Sequence, residues 1–226
     1  MSWFSVLCGG NAGVIVPRIM FDHINIPLIL TAALLATASP GPSTLAIAGT
    51  AMAHGRLQAL SLVAGIASGS WIWSIAAALG LSAIMAANAW VFELLRYLGA
   101  GYLLFLAFKS AHSAFSTSPT QLRSVSSRSC RIAYGKGLAM HLTNPKAILF
   151  FGALYSVGVP VTATSLEIAS VVVLIGLQSM LVFITYALLF SNPRIVAIYV
   201  RLRRWFEAGF ALAFGFAGVR LLSAKL

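Results

Sequence analysis

The chain is short of charge, above all of negative charge: its 226 residues include 4 Asp plus Glu against 15 Lys plus Arg, and 8% are charged in all. Soluble domains average about 25%. A globule built from this sequence would have too little polar surface to face water, which excludes a soluble fold and points to an integral membrane protein. The scarcity of carboxylates has a further consequence. None of Asp22, Glu93, Glu167 and Glu207 falls in the middle of an apolar run, so a mechanism that needs a buried acid has no obvious residue. Cysteine is scarce too. Cys8 and Cys130 lack metal-ligand spacing, and the topology below puts them on opposite sides of a membrane, so neither a metal site nor an internal disulfide is expected. His-Glu-x-x-His, paired intramembrane aspartates and a nucleophile elbow are also missing, which leaves little to support an intramembrane enzyme beyond a Ser68 or Ser70 nucleophile with His141 as base.

What fills the chain is apolar. Hydrophobic residues make up 60%, in runs long and uniform enough for helices rather than the alternating strands of an outer-membrane barrel. The expected fold is therefore all-α, a single bundle of six transmembrane helices at about 24–52, 58–84, 90–110, 135–160, 167–190 and 205–223. The net charge of +11 could suggest a nucleic-acid partner, but the basic residues gather between apolar runs: Arg56; then Lys109, Arg123, Arg128, Arg131 and Lys136; then Arg194, Arg201, Arg203 and Arg204. By the positive-inside rule these loops, including the polar stretch at about 110–134, face the cytoplasm, both termini lie outside it, and no nucleic acid is implied. Arg96, Arg220 and Lys225 run against that bias, although Glu93 is placed to pair with Arg96 at i,i+3.

Residues 1–19 look unlike the remainder, and Met20 opens a compact segment leading into the first span. Two starts are thus open, Met1 with a short extracytoplasmic tail or Met20 itself. Ile24 to Ala36 followed by Ala36-Thr37-Ala38 imitates a signal peptide, yet Phe21-Asp22-His23 lacks the usual positive charge.

Two spans contain helix breakers. At Pro40-Gly41-Pro42 the prolines cannot donate, so the carbonyls of Ala36 and Ala38 should lose their helical partners at membrane depth. The helix restarting at Pro42 should present first-turn N–H groups near Ser43 and Thr44, an end with positive partial charge that suits a carboxylate, while the released carbonyls suit an ammonium. Asn144-Pro145-Lys146 repeats the theme: Pro145 should free the carbonyl of His141, Asn144 offers donors and an acceptor, and Lys146 supplies a cation. A lysine at membrane depth costs roughly 2.5–3.5 kcal/mol on insertion scales and a mid-helix proline about 3 kcal/mol, so their shared position signals a polar pathway. A plain kink at Pro40 and a Lys146 that snorkels to the headgroups are the bland alternatives. His141, one turn before Asn144, could relay protons or simply pack. Each set of three spans begins with a broken helix, the pattern of an inverted repeat. Gly65 and Gly69 form a small-residue strip for close helix packing, and Trp71 and Trp73 suit either an interface or an aromatic cage.

Taken in order, Pro40-Gly41-Pro42, His54-Gly55-Arg56, Gly99-Ala100-Gly101-Tyr102-Leu103, Gly137, Asn144-Pro145-Lys146-Ala147 and Phe150-Phe151 resemble the LysE/RhtB family of amino-acid exporters, from about Met20 to the C-terminus. Ser43 stands where many members carry Asp or Asn, and no Pro-Gln-Phe follows Phe151. The resemblance implies a bundle in the bacterial cytoplasmic membrane that exports small amino acids or their derivatives as a secondary transporter, in exchange for protons and with a homodimer among its assemblies. It implies no cofactor. A membrane sensor or assembly factor on the same scaffold is the alternative. Pro40, Gly41, Pro42, Ser43, Thr44, Asn144, Pro145 and Lys146 are the expected substrate-binding residues, with His141 the candidate relay.

Overall fold

The computed structural model describes residues 24–39, 41–87, 89–116, 124–125, 129–160 and 162–223, with the side chains of 81–93, 95, 96, 157, 220 and 221 outside that description. Pro40, Cys8, the Met20 start and the expected Glu93–Arg96 pair therefore lie outside the described residues. Among those residues there are seven helices and no strand: α1 (Ile26–Ala38), α2 (Pro42–Ala87), α3 (Ala89–Phe115), α4 (Cys130–Leu142), α5 (Pro145–Gly158), α6 (Ser165–Leu189) and α7 (Pro193–Ser223).

Their boundaries follow from local chemistry. The Asn25 side chain accepts the Leu28 N–H at 3.0 Å and opens α1. Thr164 and Glu167 form a reciprocal capping box at the start of α6, so the carboxylate of Glu167 is spent on a helix end. Inside α2, Gly55 has φ 82° and ψ 178°, a conformation open to glycine, and it divides the helix into segments 42–54 and 56–87. One residue thus makes the turn that hydropathy places at His54-Gly55-Arg56.

The first predicted span is α1 followed by segment 42–54, and the fourth is α4 followed by α5, so both proline motifs end one helix and begin another. The sixth differs from expectation. Asn192 accepts the Arg194 N–H at 3.0 Å and Pro193 occupies the first turn, so α7 begins there, and Arg194, Arg201, Arg203 and Arg204 lie on a helix rather than in a loop. Arg203 and Ser113 then hold Glu207: Arg203 donates to Ser113 Oγ at 2.7 Å, and that hydroxyl donates to Glu207 Oε1 at 2.9 Å, tying α7 to α3.

Segments α2 (over 42–80) and α6 are long and apolar enough to cross a bilayer. Leu166, Leu177 and Leu181 on α6 are all more than half exposed, as helices facing hydrocarbon require. The most extensive packing pairs α2 with α4 and α3 with α7, followed by α2 with α6. Close approach of α2 and α4 depends on glycine. A Cβ at Gly65 would run into the Tyr134 carbonyl oxygen, and one at Gly137 into the Leu62 carbonyl oxygen, so the two backbones touch where side chains would hold them apart. Trp71 and Trp73 pack beside the apolar core that includes Ile29, Tyr155 and Ile175, with Trp71 against Gly176 of α6. A second core gathers Ile47, Leu62, Ile66 and Phe183.

Candidate functional site

The two helix breaks face each other. Lys146, in the first turn of α5, extends its ammonium across to the end of α1, where it donates to the carbonyl oxygen of Ser39 at 3.4 Å and closely to the Ser39 hydroxyl. Asn144 Nδ2 reaches Ser43 Oγ at 3.5 Å from the same side. Each break therefore supplies polar partners to the other.

Asn144 is positioned as the cap of α5: its side-chain oxygen accepts the Lys146 N–H at 3.0 Å, and Pro145 occupies the first helical position, where a missing N–H costs nothing. On the opposing side Pro42 opens α2. Thr44 Oγ1 accepts the Gly41 N–H at 2.8 Å and donates back to the Gly41 carbonyl at 3.0 Å, which fixes the entry to the helix. The N–H groups of Ser43 and Thr44 belong to the first turn, where helical geometry supplies no acceptor.

Between the breaks lies a cavity of about 50 Å³. Gly41, Pro42, Ser43, Thr44, His141, Asn144 and Lys146 all line it, so the residues expected from two motifs a hundred positions apart converge on one space. Pro145 sets the helix start without lining the cavity. Sequence reasoning missed Ser39 and Ser179, and it weighed Ser70 as part of the small-residue packing strip or as a nucleophile; all three line the cavity and are buried. The signal for Ser179 was a polar residue inside the apolar run of α6. The aromatic wall is Phe150, Phe151 and Phe183 rather than Trp71 and Trp73.

His141 joins the parts. Its Nδ1 lies 3.4 Å from Ser43 Oγ, its Nε2 lies 3.0 Å from Ser70 Oγ, and Phe183 meets the ring edge-on at 6.3 Å between centroids. An imidazole with one N–H and one bare nitrogen satisfies both hydroxyls at once, linking α4 to both segments of α2. Ser68 faces elsewhere, accepting from Tyr134 Oη at 3.1 Å.

One expectation is overturned. The carbonyls released by the breaks are not free: Ala36 accepts the Ser39 hydroxyl at 3.0 Å, Ala38 accepts the Tyr186 hydroxyl at 2.7 Å, and His141 accepts the Asn144 N–H at 3.2 Å. A carbonyl stranded at membrane depth costs several kcal/mol, so neighbouring donors take each one. The cavity consequently holds a cation and helix N-termini but no carboxylate among its lining residues. Glu167 and Glu207, the carboxylates among the described side chains, are engaged at Thr164 and at Ser113. Such a site is short of an anion.

A family model described as LysE type translocator matches residues 34–225. The threonine efflux protein of Escherichia coli is 30% identical over 207 residues, 88% of this chain and 98% of that protein. The threonine efflux protein of Salmonella typhi is 29% identical over 198 residues, 85% of this chain and 94% of its own. The leucine efflux protein of Klebsiella pneumoniae is 27% identical over 184 residues, 81% and 86% of the two chains. No solved structure matches the chain.

Proposed function

The chain belongs to the LysE type translocators, and on that premise we propose that it carries amino acids or small amino-acid derivatives out of the bacterial cytoplasm, binding them between its two broken helices. The observation that carries the reading is the anion-seeking cavity: Lys146 Nζ rests on neutral oxygens of Ser39, with the first turn of α2 alongside. An α-carboxylate completes that arrangement, since a buried ammonium and helix N-termini both favour negative charge. The serine hydroxyls of positions 70 and 179 supply oxygens for the ammonium end of the solute, a role the released carbonyls do not have. As a translocator the protein is not an enzyme, and the Ser70–His141 contact serves the cavity wall.

At about 50 Å³ the cavity has room for a few water molecules, so loading a solute requires the halves to part. The proposed halves are α1 to α3 and α4 to α7, six spans in all with a broken helix opening each half, and an odd number of spans per half inverts the second. Rocking one half against the other then exposes the site alternately to each side. The basic residues Arg56, Arg123, Arg128 and those at the start of α7 support a topology in which these segments face the cytoplasm and both termini lie outside it. His141, flanked by two hydroxyls, is the proposed proton relay; export by a His141→Gln variant that still answers an imposed pH gradient would remove that role.

The test is solute movement from vesicles that contain this protein alone. We expect unaltered amino acids to leave loaded vesicles faster than from protein-free ones. A sensor or assembly factor on the same scaffold would move nothing, and that result overturns the proposal.

A further inference from the structure

Beside the polar cavity lies a larger, almost wholly apolar groove of about 370 Å³ between α6 and α7. Ile195, Ile198, Tyr199, Leu202, Phe206 and Phe210 line its α7 wall at i, i+3, i+4, i+7, i+11 and i+15, a single helix face. The facing wall is Tyr186, Leu189 and Phe190, with Tyr186 stacked on Phe190 at 5.1 Å and Phe190 edge-on to Tyr199 at 4.9 Å.

Neighbouring residues of α1 and α6 line the two spaces. Ala36, Thr37 and Ser39 line the cavity while Ala38 lines the groove; on α6, Ser179 and Phe183 face the cavity while Tyr186 faces the groove. The hydrogen bond from Tyr186 Oη to the Ala38 carbonyl, 2.7 Å long, crosses this boundary next to the residue that holds Lys146. The cavity offers polar groups for a zwitterion, whereas the groove is larger and mainly apolar, its polar lining being Thr185 and the phenols of Tyr186 and Tyr199.

We propose that the groove receives the side chain of the transported amino acid while the carboxylate lies at Lys146, making solutes with large aliphatic or aromatic side chains the preferred cargo and Tyr186 the residue that divides head-group space from side-chain space. This rests on the amino-acid export reading above. It follows that opening the site means parting Tyr186 from Ala38, and that bulk on the α7 wall sets selectivity.

The experiment measures leucine, threonine and phenylalanine efflux from vesicles holding the full chain, with Ile198→Trp to fill the groove and Ile198→Ala to enlarge it. Wild type should favour leucine, Ile198→Trp should lower the leucine-to-threonine ratio tenfold or more, and Ile198→Ala should raise phenylalanine relative to leucine severalfold. Ratios that stay constant across all three proteins while both solutes move would overturn the groove assignment alone, as they would if a lipid acyl chain or a second copy of the chain occupies it. Vesicles in which no amino acid moves overturn the export reading and this proposal with it.

Discussion

Replacing Lys146 by alanine abolishes export while leaving folded protein in the membrane. In the folded chain the Lys146 ammonium has Ser39 as its hydrogen-bond partner across the cavity, so truncation strands no carboxylate and opens a small polar space that water fills. The solute loses much more. Removing one partner of a buried, hydrogen-bonded charge pair costs about 2–5 kcal/mol, which corresponds to a loss of about thirtyfold to several thousandfold in binding. Lys146→Met, which keeps the apolar stem, should fail equally and separates loss of charge from loss of packing. The measurement is efflux of amino acids from cells loaded with dipeptides, normalised to membrane-inserted protein. Export near the wild-type rate in a well-inserted Lys146→Ala variant would contradict the placement of the carboxylate.

The second large effect is structural. Gly65→Leu should prevent accumulation of folded protein, because even its first carbon collides with the Tyr134 carbonyl, and backbone cannot swing aside as a flexible side chain can. Overpacking usually costs about 1–3 kcal/mol, and a backbone obstacle belongs at or above the top of that range. The displaced helix is α4, which carries His141 and ends two residues before the Asn144 cap of α5, so the damage reaches the cavity as well. Gly80 is the control, since a Cβ there meets nothing within 4 Å. Thermal midpoints in detergent should fall sharply for Gly65→Leu and little for Gly80→Leu; equal midpoints would contradict the close approach of α2 and α4.

The proline motifs made the outline of this site legible because the physics they invoke is local. Asn144-Pro145-Lys146 reads as a break within the fourth span, and the structure makes Asn144 the cap and Pro145 the first residue of the helix that follows. Gly65 likewise announced close packing through the size of its side chain alone. What local reading could not supply was the partner of each exposed group. The carbonyls of Ala36 and Ala38 looked available from sequence because the donors that take them are a hydroxyl three residues on and a phenol 148 positions away. Ser39 and Ser179 were missed for the same reason, since a lone serine in an apolar helix can bond its own backbone as readily as a ligand. The arginines of α7 misled in another way. Their charge suggested a loop, but the start signal Asn192-Pro193 governs the backbone, and long basic side chains reach water from a helix end.

The central claim is that a solute docks its carboxylate at Lys146 between the two breaks. It is tested most directly by comparing efflux of leucine with that of leucinamide, which keeps the ammonium and side chain but replaces the carboxylate by a neutral amide, from vesicles containing the purified protein. We expect leucine to leave quickly and leucinamide to leave no faster than from protein-free vesicles; protein-dependent efflux of the amide at the rate of the amino acid would contradict the account.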